Sequence, residues 1–144
     1  MVATTETILV ETDFLFGINP KDKLHNYVLK ITSLHENNVI KCYVSSSAFV
    51  EFRTVLYSHG KKPNEVHEAL LIITDFLRKR KIEEIPLRSE HVIIADYLRS
   101  KYPNLSFFDA LHAGVALVEK ITLVSYDTIY SQINEISWKS FRDF

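Results

Sequence analysis

The sequence predicts an α/β domain built on a mostly parallel sheet covered by helices. Short apolar runs of strand length alternate with longer amphipathic stretches along the whole chain, the pattern of a parallel α/β sheet. The segments between the apolar runs are long enough for right-handed crossovers. The composition agrees: 144 residues, 47 % apolar and 24 % charged, with only three glycines and four prolines. That is one domain, residues 1–144, with material for a real core and no linker or low-complexity tract.

The elements read in order. Ile8-Leu9-Val10 is a short strand. After Pro20, Leu24, Tyr27, Val28, Ile31 and Leu34 recur at helical spacing, with the proline suited to a first turn. Cys42-Tyr43-Val44 is the second strand, and Ser45-Ser46-Ser47 offer hydroxyls to cap a helix over Ala48 to Ser58, ended by Gly60 and Pro63. Val66, Ala69, Leu70, Ile73, Phe76 and Leu77 form the clearest amphipathic stripe. Ile82 to Leu87 reads as a weaker strand, and a helix from Ser89 to Lys101 is closed by Pro103. Ala110, Ala113, Gly114 and Leu117 make a stripe of mostly small residues that lets its helix pack close to a neighbour. Ile121 to Val124 is a strong strand, and Ile136 to Trp138 a last short one.

The formal net charge is −1, so no overall field draws in nucleic acid and any such contact needs a local patch. The basic runs Lys61-Lys62 and Arg78-Lys79-Arg80-Lys81 are candidates, although basic residues also favour helix C-termini for electrostatic reasons. A single cysteine, Cys42, excludes a disulfide framework and reads as a small buried hydrophobe. The opening residues lack the basic start and apolar run of a leader, and no stretch approaches the ~18 apolar residues of a membrane span. A cytoplasmic protein is expected.

In parallel α/β sheets ligands bind beyond the carboxyl ends of the strands. There the sequence places acids. The first strand runs into Glu11-Thr12-Asp13, and strand alternation points Glu11 and Asp13 the same way. Glu51 follows the second strand inside Ala48-Phe49-Val50-Glu51-Phe52, where a buried carboxylate requires a partner. Asp109 opens the small-residue helix, and Asp127 follows the late strand in Ser125-Tyr126-Asp127. Clustered carboxylates repel by about 4 kcal/mol per pair at ~4 Å and an effective dielectric of 20. A hard divalent ion, Mg²⁺ or Mn²⁺ rather than zinc, removes that cost and supports phosphodiester hydrolysis.

Each acid also has a plain structural use. Ser106-Phe107-Phe108-Asp109 is a capping box in aspartate form. Glu11 and Asp13 suit a turn, Asp127 suits an N-cap, and Glu51 suits a partly exposed helix face. The metal reading rests on their joint placement. The six histidines show no metal-ligand spacing and read mostly as surface or interface residues. Phosphate loops, dinucleotide fingerprints and nucleophile elbows are lacking.

The order of these motifs resembles the PIN-domain family over nearly the whole chain. Ile8 to Leu15, Val44 to Glu51, Leu105 to Ala113 and Leu123 to Asp127 are similar to its four motifs, the third being the most specific, and Ile136-Ser137-Trp138 resembles its last strand. The family normally carries aspartate where this chain has Glu11 and a small polar residue where it has Asp13. Both are retained as first-strand ligand candidates. The resemblance implies a single PIN-like domain with a central parallel five-stranded sheet flanked by helices. It also implies a Mg²⁺- or Mn²⁺-dependent endoribonuclease that leaves a 3′-hydroxyl and a 5′-phosphate. Glu11 or Asp13, with Glu51, Asp109 and Asp127, would hold the ion, and Thr12 and Ser125 would orient ligands or substrate. Many small members are VapC-type toxins, restrained by a partner antitoxin and often paired as homodimers. Two other readings stay open. One is a non-catalytic PIN-like module that binds RNA or protein, motivated by Glu11 and the weak basic patches. The other is a phospho-acceptor receiver domain, disfavoured by serines after the second strand.

Overall fold

The computed structural model describes residues 5–144. The leader-like reading of the opening residues falls mainly on 1–4, which lie outside the described part. The elements run β1 (Glu6–Val10), α1 (Thr12–Gly17), α2 (His25–Glu36), β2 (Ile40–Ser45), α3 (Ser46–Ser58), α4 (Pro63–Lys79), β3 (Glu83–Ile85), α5 (Ser89–Lys101), α6 (Phe107–Glu119), β4 (Thr122–Val124) and β5 (Trp138–Lys139). Two 3₁₀ turns, Thr128–Gln132 and Phe141–Asp143, follow β4 and β5.

All five strands are parallel, in the order β3-β2-β1-β4-β5. The chain starts in the middle, builds outward through β2 and β3, then returns to the other side of β1. The C-terminal ends of β1 and β4 therefore flank a topological switch point, where open α/β sheets place their ligands. Val10 pairs with Val124 at that end.

Strand alternation divides the core. Ile8, Val10, Cys42, Val44 and Val124 pack with α1 to α4 on one face. Leu9, Ile85 and Leu123 pack with α5 and α6 on the other. Buried on both faces, β1 reads as a continuous apolar run rather than an alternating one. The small-residue stripe of α6 does what its composition suggests. A Cβ built on Gly114 would lie 2.7 Å from the His91 carbonyl oxygen on α5, so glycine permits the approach of the two helices.

Three local expectations are revised. α3 begins at Ser46 rather than Ala48, and Ser45 makes no side-chain cap; the serine hydroxyls are used elsewhere. β5 starts at Trp138, two residues beyond the Ile136 start expected for it, because Ile136 joins the hydrophobic cluster before the chain reaches the sheet. The basic run 78–81 does close α4, with Lys79 paired to Asp75 at 2.9 Å and Arg80 to Glu36 at 3.5 Å. No helix among the described residues is long and apolar enough to cross a membrane.

Candidate active site

At the end of β1 the chain turns directly into α1. Glu11 caps that helix, accepting the Asp13 backbone N–H at 3.4 Å. Asp13 thus reaches the same neighbourhood as Glu11 by helical turn, not by the strand alternation expected from the sequence. Ser125, at the end of β4, joins them. Its hydroxyl lies 3.2 Å from Glu11 Oε1 and 2.9 Å from Asp13 Oδ2, and the Tyr126 N–H donates to Asp13 Oδ2 at 2.8 Å.

Glu51 comes in from the second turn of α3. Its Oε1 accepts from the Thr12 hydroxyl at 2.5 Å and lies 2.7 Å from His112 Nε2. His112, fully buried, stands one turn beyond Asp109 on α6. Its Nε2 is also 3.3 Å from Glu11 Oε2, and its Nδ1 is 2.8 Å from Ser47 Oγ. Ser47 in turn contacts Ser45 at the end of β2. Nitrogen and carboxylate oxygen at 2.7 Å require a proton between them, so Nε2–H donates to Glu51 and the serine pair meets Nδ1.

Asp109 divides its oxygens. Oδ2 accepts the Ser106 N–H at 3.4 Å in the expected capping box, while the Tyr130 hydroxyl donates to Oδ1 at 3.3 Å. The same hydroxyl lies 3.4 Å from Glu11 Oε2. Asp127 stands apart. Its exposed carboxylate caps the 3₁₀ turn, Oδ1 accepting the Ile129 N–H at 2.9 Å, and only its backbone N–H touches the cluster, through Ser125 Oγ at 3.1 Å.

The sheet and helices therefore bring together Glu11, Asp13, Glu51 and Asp109, linked by Thr12, Ser125, His112 and Tyr130, with Asp127 at the rim. His112 and Tyr130 escaped the sequence reading. Taking the histidines as mostly surface groups is corrected for His35, His91 and His112, all buried. The available signal for His112 was its place three residues after Asp109, which puts both on one helical face.

Electrostatics distinguishes the carboxylates. Burial, reinforced by the negative charge of Asp13, pushes the Glu11 carboxyl well above its ordinary value. Burial acts the same way on Glu51, but hydrogen bonds from His112 and Thr12 outweigh it and hold that group below the ordinary range. Burial first, and then the charges of Glu11 and Asp109, raise the Tyr130 hydroxyl well above its usual value, keeping it a neutral donor.

These residues fit a divalent cation. Asp13 Oδ1 is buried with no hydrogen-bond partner among the described residues, and Glu11 is charged only at a cost. One ligand atom each from Glu11, Glu51 and His112 lies within 4.8 Å of the others. Oxygen donors dominate the set, which suits Mg²⁺ or Mn²⁺.

The Glu11 shift has a consequence for stability. A carboxyl whose folded pKa is raised stabilises the fold at low pH, and that contribution is lost as pH rises from the unfolded value near 4.5 towards the folded one. In EDTA, Glu11→Gln should therefore raise the urea midpoint at about pH 7 and change it little at about pH 4. Equal shifts at both pH values would contradict this account.

The sequence matches the PIN domain family over residues 8–136. No curated protein matches it. Among solved structures, VapBC2 from Rickettsia felis bound to a promoter DNA fragment aligns with a TM-score of 0.70 and 20 % identity, over 93 % of this chain and 98 % of that one. DNA-bound VapBC from Salmonella typhimurium gives 0.69 and 17 %, over 96 % and 99 %. VapC20 from Mycobacterium tuberculosis, a Sarcin-Ricin loop cleaving toxin, gives 0.65 and 19 %, over 88 % and 95 %. With the family matched across most of its length and its five-stranded parallel sheet in place, the chain belongs to the PIN domain family.

Proposed function

We propose that this protein is a divalent-cation-dependent endoribonuclease acting as the toxin of a VapBC-type toxin–antitoxin pair. The observation that carries the reading is the convergence of Glu11, Asp13, Glu51 and Asp109 at the switch point, with a buried, unpartnered Asp13 oxygen. A bound Mg²⁺ or Mn²⁺ supplies an activated water and neutralises charge on the phosphodiester. Glu11, Asp13, Glu51 and Asp109 would hold the ion, and Asp127 would join from the rim, directly or through water. Thr12 and His112 orient Glu51, while Ser125 spaces Glu11 from Asp13. Tyr130 donates towards both Glu11 and Asp109 and fills the back of the site.

An antitoxin and a second copy of the chain are the protein partners this reading brings, in the cytoplasm. Exposed apolar side chains on α4 (Leu71 and Ile72) and α5 (Ile93 and Tyr97) offer surface for them.

The test is cleavage of a mixed RNA pool by purified protein in Mn²⁺, beside EDTA and beside Asp109→Asn from the same preparation. Cleavage is expected only for the native chain with metal. Activity that survives EDTA would overturn the mechanism. No cleavage by the native chain on any structured RNA would favour the non-catalytic binding module, for which Glu11 in place of the family's aspartate is the motivating departure.

A further inference from the structure

A site made of carboxylates repels the polyanion it is meant to cut, and a net charge of −1 supplies no compensating field. The obvious basic run, residues 78–81, cannot help locally. It closes α4 just before β3, at the N-terminal edge of a parallel sheet whose active site lies at the opposite edge. Its cations are also partly spoken for, by Asp75 and Glu36.

Cations do occur at the active-site edge. A surface cavity of about 480 Å³ is lined by Asp13 and Asp127 together with Lys23, Tyr126 and Arg142. Tyr126 directly follows Ser125, and its backbone N–H already binds Asp13. Its ring holds the two cations. The Arg142 guanidinium lies 4.4 Å from the ring centroid and donates to the Tyr126 hydroxyl, and Lys23 Nζ lies 5.5 Å from the same centroid. Arg142 is delivered by the last 3₁₀ turn, which Ser140 and Asp143 cap reciprocally. Lys23 comes from the turn before α2. Neither cation is ion-paired to a carboxylate among the described residues, in contrast to Lys79, Arg80, Arg88 and Lys101. Two charges without carboxylate partners are thus set on one aromatic plate, in a cavity shared with two of the acidic site residues.

We propose that Lys23 and Arg142, oriented by Tyr126, form a subsite for a backbone phosphate of the RNA strand next to the one held at the acidic cluster. This rests on the ribonuclease reading for its ligand, but it concerns binding rather than cleavage. The planar guanidinium suits two oxygens of one phosphate, and the lysine adds a point charge. The subsite reads backbone rather than base, so it adds affinity and register without sequence preference.

The test is binding of a short fluorescein-labelled single-stranded RNA in Ca²⁺, followed by anisotropy over a salt series, with a gel of each sample to score cleavage. The Lys23→Ala/Arg142→Ala double variant should bind about ten- to a hundredfold more weakly at low salt. Its slope of log affinity against log salt should be shallower by about 1.4, the value for two lost phosphate contacts on a single strand. Lys23→Arg/Arg142→Lys should recover most of the affinity, and Arg78→Ala/Lys81→Ala should bind as the native chain does. A double variant with native affinity and slope would overturn the subsite, as would native protein that binds no RNA. If the native chain binds RNA with the expected loss in the double variant but never cleaves it in Mn²⁺, the subsite stands and the nuclease reading falls.

Discussion

Replacing Glu51 by glutamine should lower Mn²⁺-dependent RNA cleavage at least about a hundredfold while leaving the fold intact. The amide oxygen can still accept from Thr12 and His112, the two donors that meet Glu51 Oε1 at 2.5 and 2.7 Å. Only the charge is removed, together with the ability to hold a cation. Loss of a group that merely supports a metal ligand typically costs about 10–100-fold, so loss of a ligand sets the higher figure. Thermal melting in EDTA should move by no more than about 2–4 °C, equivalent to roughly 1 kcal/mol. Cleavage that persists at the native rate would remove Glu51 from the machinery. Melting that collapses would show that its charge, not its hydrogen bonds, holds α3 in place.

The second large effect is expected at His112. This side chain is fully buried and joins α6 to α3 and to the end of β1, through Glu51, Ser47 and Glu11. Alanine there leaves the Ser47 hydroxyl and one bond of Glu51 without a partner and opens a cavity. Each unsatisfied buried group costs about 1–3 kcal/mol, so a loss of about 3–5 kcal/mol is expected, read as a drop in the urea midpoint. His112 acts as a positioning residue, which purely structural damage would not mimic in full. His112→Gln can restore a donor near the place of Nε2, whereas His112→Asn reaches only as far as Nδ1. Mn²⁺ affinity, followed by the paramagnetic signal of the free ion, should fall about 10–100-fold in the asparagine variant and recover in part with glutamine. Equal affinities in the two variants would reduce His112 to a packing role.

The acids were legible in the sequence because two simple regularities locate them. Strands in a parallel sheet end on one edge, and residues just past those ends share it. Glu11 and Glu51 follow from that, and Asp109 from its capping position at the start of α6. The reading failed where a side chain's partner lay far along the chain. His112 sits in a run of apolar neighbours on α6, and its value depends on Glu51, 61 residues away. Tyr130 occupies a 3₁₀ turn that has no apolar periodicity to announce it, and its hydroxyl meets Glu11 across 119 residues. Asp13 was placed correctly beside Glu11 through the wrong geometry, because two residues of helix and two of strand happen to bring the carboxylates to the same opening here. The three-residue β3 and two-residue β5 carry little pattern of their own, being fixed by neighbours in the sheet.

The central place of β1 has a consequence in time. Its partners at the site, Ser125 and Tyr130, are separated from Glu11 by 114 and 119 residues. Pairing of that kind forms slowly, because the closure entropy is spent before any contact repays it. A nascent chain still on the ribosome, or any intermediate in which β4 has yet to dock, holds Glu11 and Glu51 but not the groups that complete the cluster. The activity proposed for this protein would therefore switch on only with the last act of folding, and a synthesising cell would be spared a half-made nuclease.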